Sequence, residues 1–142
     1  MLFSPTVAGT ATMPNRLDTQ FIHLGPGATA VPQPDFNGGA WYEAYGGRHD
    51  QDGADGRLVS QFTFTDNWDS WEMHPHGDEI VLCVAGRMTL LQQNSDLTVT
   101  SVTIAPGEYV INPPGCWHTA DIEGEATAVF ITAGLGTVGR PR

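Results

Sequence analysis

Ser70 to Val84 reads SWEMHPHGDEIVLCV, two apparent strands around a tight turn. Side chains alternate across a strand, so Glu72 and His74 share one face while Trp71 and Met73 take the other. Pro75 to Asp78 has the form of a four-residue hairpin loop. This register predicts His74 opposite Glu79, with Cβ atoms about 4.5–5.5 Å apart. Glu72 then lies opposite Val81, one step deeper on the same face, and Asp78 points away. An imidazole and a carboxylate so placed can meet on one metal ion.

The same short-strand rhythm continues outward. Arg87 to Gln93, Leu97 to Ile104, Glu108 to Ile111, Trp117 to Ile122 and Ala126 to Thr132 read as strands. Ala85-Gly86, Asn94-Ser95-Asp96, Pro106-Gly107, Pro113-Pro114-Gly115 and Glu123-Gly124 supply the turns between them. Upstream, Leu58 to Thr65 alternates, with Ser60, Phe62 and Phe64 on one face. Thr19 to Leu24 predicts a short strand. Trp41 to Tyr45 (WYEAY) predicts another, because aromatics favour strands. Ala28 to Gly39 reads as loop. Gly46 to Gly56 reads as an acidic surface loop carrying His49, Asp50 and Asp52. It lacks the closing Glu of a calcium loop, so it is read as solvated. No segment shows helical periodicity, and the fold class is an all-β sandwich or barrel. Residues 1–20 form an extended arm and residues 21–142 a single barrel domain.

Composition narrows the function. A chain of 142 residues fits one domain, and its formal charge of −10 predicts no nucleic-acid and no anionic-membrane partner. All six basic residues are arginines, which excludes a lysine Schiff base or lysine nucleophile. No apolar run approaches the ~20 residues of a membrane span. The opening MLFSPTVAGTATMPNR lacks the pattern of a signal peptide, so the expected location is cytoplasmic. Cys83 and Cys116 do not make a disulfide framework. Cys83 reads as packing, and Cys116 sits in a turn beside Trp117. Ile80 to Val84 is apolar on both faces, as in a strand covered from outside. A homodimer is predicted from it.

His118 follows the rigid turn Pro113-Pro114-Gly115 and begins a strand, which makes it a third candidate ligand beside His74 and Glu79. With these residues in view, His74 to Gly86, including Glu79 and Gly86 with six residues between them, resembles the first motif of the cupin family. Gly107-EYVIN-Pro113-Pro114-Gly115-Cys116-Trp117-His118 resembles the second motif, G-x5-P-x-G-x2-H, in full. Two features depart from the pattern. Ile122 stands where the second motif ends in Asn. If His74 is the second His of the His-x-His core, Glu72 stands in place of the first. If instead His74 and His76 are the pair, only two residues precede Glu79.

The resemblance implies a double-stranded β-helix, or jelly-roll barrel, with a metal at its centre. The expected ligands are Glu72, His74, Glu79 and His118, with His76 as a rim group or as the alternative to Glu72. Two imidazoles and two carboxylates neutralise a divalent ion, whereas three imidazoles and one carboxylate leave a charge of about +1. Such ligands suit iron, manganese, nickel or zinc, and His74, Glu79 and His118 form a 2-His-1-carboxylate trio. Glu72, Glu79 and His118 are the candidate catalytic groups. Phe62, Phe64 and Phe130 are the expected walls of a small-molecule pocket, and Trp71 and Trp117 are read as packing. Three function classes follow: a dioxygenase-like metal enzyme, an isomerase or lyase using a Glu or His base, and a metal-free binding protein.

Overall fold

The computed structural model describes residues 13–142, so residues 1–12 of the expected arm lie outside the described residues. Among the described residues nine strands run in the order β1 (Ile22–Gly25), β2 (Thr29–Pro32), β3 (Arg57–Phe64), β4 (Ser70–Met73), β5 (Glu79–Gln93), β6 (Val99–Ile104), β7 (Tyr109–Asn112), β8 (His118–Thr132) and β9 (Val138–Pro141). One helix, α1 (Gly39–His49), and a 3-10 turn, Asp50–Asp55, lie between β2 and β3. All strand pairings are antiparallel, as a jelly roll requires.

β8 organises the barrel. Its second half, Ala126 to Thr132, lies between β3 and the first half of β5. Its first half pairs with the second half of β5, and His118 stands opposite Glu72 of β4. Inward positions of these strands build the core: Val81, Cys83, Met88, Leu90, Ile104, Ala120, Ala126, Ala128 and Phe130. Each large aliphatic side chain among them contributes about 1.5–3 kcal/mol by leaving water. A second cluster, Phe21, Trp41 and Leu58, seats α1 against β1 and β3.

Several expectations are corrected. β5 and β8 each span two expected strands, because Ala85-Gly86 and Glu123-Gly124 bend the chain without ending the pairing. Register shifts fall beside Cys83 and Gly86. Gly86 has φ +72, and a Cβ there would collide with the Glu125 carbonyl. Trp41 to Tyr45 is helical rather than extended. The four-residue spacing stacks the Trp41 and Tyr45 rings at 5.3 Å. Burial of Trp41 beneath the barrel thus outweighs local strand preference. The loop expected over residues 28–39 contains β2, and the segment 46–56 continues α1 into the 3-10 turn.

The expected hairpin is also replaced. β4 pairs with β8 and β9, while β5 pairs with β6, β7 and β8. Glu72 therefore faces His118 and Gly139, not Val81. β9 occupies the edge assigned to β5, and its sequence, Val-Gly-Arg-Pro, carries little strand signal. The turn after His74 carries the chain across the barrel instead of folding it back. Outside β5, Ile80 and Leu82 are half-buried and Val84 is 42% exposed, so the outer face is only partly covered within the chain. Trp71 and Trp117 are half-buried and hold the Arg140 guanidinium between them, 5.7 and 4.3 Å from their ring centres.

Candidate metal centre

Although the hairpin is absent, its residues converge. His74, at the end of β4, places Nε2 3.1 Å from Glu79 Oε2, and His118 places Nε2 3.1 Å from Glu79 Oε1. All three are buried. One ligand atom from each of Glu72, His74 and His118 lies within 4.8 Å of the others. His76, the alternative ligand, lies exposed at the turn tip and is outside this group. The barrel brings them together because β4 and β8 are paired at Glu72 and His118, while β5 lies on the other side of β8.

The hydrogen bonds around the rings fix their tautomers. His118 Nδ1–H donates to the Cys116 carbonyl at 3.1 Å. Thr137 donates its hydroxyl proton to the Gly134 carbonyl at 2.7 Å, so its oxygen is left to accept from His74 Nδ1–H at 2.8 Å. In both neutral imidazoles, the Nε2 lone pair therefore faces the centre. Both Nε2 atoms are buried without a hydrogen-bond partner, despite the nearby carboxylate oxygens. Glu79 Oε1 accepts from Asn112 at 3.1 Å and Oε2 from Thr132 at 2.7 Å. Lone pairs of nitrogen and oxygen thus converge on one point, an arrangement that a cation resolves. Imidazoles tied at Nδ1 and carboxylates tied by hydrogen bonds are the usual supports of metal ligands. The residues present fit a divalent ion.

Without an ion, the same groups hold one another as charges. Burial alone would raise the Glu79 carboxyl, but the His118 and His74 imidazoles hold it well below the usual carboxylate range. Burial pulls the His118 imidazole down, and the Glu79 carboxylate outweighs it, giving a net rise. Burial and then the charge of Glu79 push the Glu72 carboxyl up, against the two imidazoles. The two carboxylates repel one another, and a cation between them would relieve that repulsion. Both cysteine thiols are pushed up by burial, which disfavours a thiolate nucleophile at Cys83 or Cys116.

The centre opens into a cavity of about 880 Å³. Phe62, Phe64 and Phe130 line it, together with Trp68 and Leu58. Glu72, His74 and Glu79 form one part of its wall, and Tyr45, His23 and His49 another. Among the described residues no arginine lines it, while Asp50, Asp66, Asp69, Glu72 and Glu79 do. Sequence reading missed Asn112, Thr132 and Thr137, which are ordinary strand or loop residues until the barrel closes. It placed His49 in solvent, whereas His49 is half-buried against His23.

Comparison with known proteins supports the same class of molecule. Residues 65–134 match the model of the cupin domain family. The chain belongs to the cupin superfamily. Similar solved structures include peruvianin-I, a cysteine peptidase from Thevetia peruviana latex (18% identity, 61% of this chain and 55% of that one, TM-score 0.51). Others are a cupin superfamily protein from Desulfitobacterium hafniense (20%, 54% and 65%, TM-score 0.46) and an oxalate decarboxylase (11%, 66% and 26%, TM-score 0.50). The chain spans less than two thirds of each of these structures. No curated protein sequence matches it. Among the described residues no helix is long and apolar enough to cross a membrane.

Proposed function

We propose that this protein is a metal-dependent cupin enzyme, an oxidoreductase of the dioxygenase type, acting on a small organic molecule. The observation that carries this reading is the pair of buried, hydrogen-bond-free Nε2 atoms aimed at the Glu79 carboxylate. Glu72, His74, Glu79 and His118 would hold iron, manganese, nickel or zinc. When bound, such an ion supplies Lewis-acid chemistry, and iron or manganese also supplies one-electron chemistry with oxygen. The chain's own residues hold the substrate against aromatic walls and exclude water. The acidic lining disfavours anions, so the expected substrate is a neutral, largely apolar or aromatic molecule. The reading places the protein in the cytoplasm.

Metal analysis of the purified protein, before and after chelation and reloading with each ion, tests this function. One ion per chain, with oxygen uptake on neutral aromatic substrates, is the expected result. A chain that retains and regains none of these metals would end the metal reading. A second reading follows from Glu72 on the cavity wall: an isomerase or lyase in which Glu72, Glu79 or His118 acts as base. It requires turnover without oxygen. A pocket that binds molecules and turns over none is the mark of a non-catalytic binding protein.

A homodimer is supported by one row of side chains. Ile111, Ile80, Ile131, Val59 and Ile22 are paired in succession across five strands on the outside of the sheet. Sedimentation should give twice the chain mass, and a monomer at high protein concentration would refute the dimer.

A further inference from the structure

Far along the cavity wall from the metal centre lies a second group of chemical side chains. His23, on β1, is buried. Its Nε2 is 2.6 Å from Asp52 Oδ2, and its Nδ1 is 2.6 Å from the Tyr45 hydroxyl. An ionised carboxylate only accepts, so Nε2–H donates to Asp52. Nδ1 then carries the lone pair, and the Tyr45 hydroxyl donates to it. The order is phenol, imidazole, carboxylate, with every proton accounted for.

The surroundings are shaped for this chain of groups. A Cβ at Gly25 would stand 3.3 Å from both Asp52 Oδ2 and His23 Nε2, and one at Gly56 would stand 3.0 Å from His23 Cε1. Glycine at both positions leaves room for the imidazole–carboxylate hydrogen bond. His49 stacks on His23 with ring centres 3.8 Å apart, and its Nε2–H donates to Gln33 Oε1 at 3.2 Å. Burial, then His23 and Arg48, lower the His49 imidazole. Tyr45 stacks on Trp41, which fixes its ring. The ligand atoms of His23, His49 and Asp52 lie within 4.8 Å of one another. Both ring nitrogens of His23 are already engaged, however, which favours proton transfer over metal coordination.

We propose that Asp52, His23 and Tyr45 form a proton relay, with Tyr45 as a catalytic acid–base group toward the molecule in the cavity and His23 and Asp52 as its positioning residues. The role rests on the reading of this cavity as a substrate site, and the class of ligand is a neutral molecule bearing a hydroxyl. In the forward step the substrate O–H breaks and its proton bonds to the Tyr45 oxygen. The original Tyr45 O–H breaks at the same time, and its proton bonds to His23 Nδ1. The imidazolium is held by the Asp52 carboxylate, and the substrate oxygen keeps the electron pair. The reverse step protonates the product. The charged groups facing Tyr45 are Asp50, Asp52 and Arg48, with the two imidazoles His23 and His49.

The relay is tested without knowledge of the substrate by labelling with phenylmethanesulfonyl fluoride. The Tyr45 oxygen attacks sulfur, the S–F bond breaks, fluoride leaves, and the phenolic proton passes to His23 Nδ1. The chain has three tyrosines. Tyr42 and Tyr109 are 45% and 62% exposed, while Tyr45 is half-buried, so accessibility alone would label Tyr45 last. Peptide mapping should instead find Tyr45 labelled first, at least about tenfold faster than the other two. Asp52→Asn and His23→Ala should each remove that advantage, and added imidazole should restore part of it in His23→Ala. Chelation should leave Tyr45 labelling unchanged, which separates this result from the fate of the metal reading. Labelling in order of exposure in the unmodified protein would overturn the relay, even if a variant failed to fold. So would an advantage that survives both substitutions in folded protein.

Discussion

Thr137→Val isolates the support of one ligand from the ligand itself. Thr137 is exposed, so exchanging its hydroxyl for a methyl group costs little in packing. What it removes is the acceptor for His74 Nδ1–H at 2.8 Å. For metal binding His74 must keep Nε2 free, and its Nδ1–H is then buried without a partner. Leaving such a donor unsatisfied costs about 1–3 kcal/mol, which is about 5- to 150-fold in affinity. The metal-free protein escapes this cost. Its proton moves to Nε2, which lies 3.1 Å from Glu79 Oε2 and can turn to donate there. Metal affinity should therefore fall while metal-free stability changes by less than about 1 kcal/mol. Competition against a coloured chelator reads the first quantity, denaturant unfolding after chelation the second, and nitrogen NMR of the imidazoles the tautomer. Unchanged affinity in Thr137→Val, with His74 still protonated on Nδ1, would refute the assignment of lone pairs to the centre.

Glu79→Gln should abolish measurable metal binding yet leave a folded chain, because its amide nitrogen, in the place of Oε2, donates to His74 Nε2 and to a Thr132 hydroxyl that turns to accept, while its oxygen keeps the bond from Asn112. Equilibrium dialysis and far-ultraviolet circular dichroism read the two effects. Gly86→Ala should destabilise the protein by more than about 1 kcal/mol, since φ is positive there and the added Cβ meets the Glu125 carbonyl. Urea unfolding measures it, and an unchanged midpoint would contradict the close approach of β5 and β8. Burial, then Asp52 and Asp50, push the Tyr45 phenol up to about 12. Its folded value lies above the unfolded one of about 10, so the associated stability is present below about pH 10 and is lost as pH rises toward 12. Tyr45→Phe should flatten that alkaline loss in pH-dependent unfolding, and an identical decline in both proteins would rule Tyr45 out as its source.

Much of the barrel was legible because alternation and turn residues report directly on half-buried strands. Leu58 to Thr65 and the Pro106-Gly107 turn are cases where local pattern and final pairing agree. The four residues at the centre were also legible, from two short motifs, although the route that joins them was not. A hairpin and a crossing turn both require Pro, Gly and Asp, so Pro75 to Asp78 fits either, and only β9 decides between them. Val138 to Pro141 gives no periodic signal of its own. Trp41 to Tyr45 misled because five residues cannot separate a strand from one turn and a half of helix. Thr137, Asn112 and Thr132 were invisible for a different reason. Their importance lies in what they face, and no local pattern marks a threonine that holds an imidazole.

The wide sequence spacing of the groups around the centre bears on how the molecule reaches and leaves its native state. Glu79 is tied to Asn112 and Thr132 across 33 and 53 residues, and His74 to Thr137 across 63. Contacts of such span form after most of the chain entropy has been surrendered, so this topology folds slowly. An ion therefore finds no ready chelate in the disordered chain and cannot serve as a nucleus. On the proposed function it would enter a cage that is already closed, and its binding energy would then fall on the escape rate. At a hundred times its dissociation constant it would add about 2.7 kcal/mol, nearly all expressed as slower unfolding. Loaded and stripped protein should refold at the same speed and differ in lifetime.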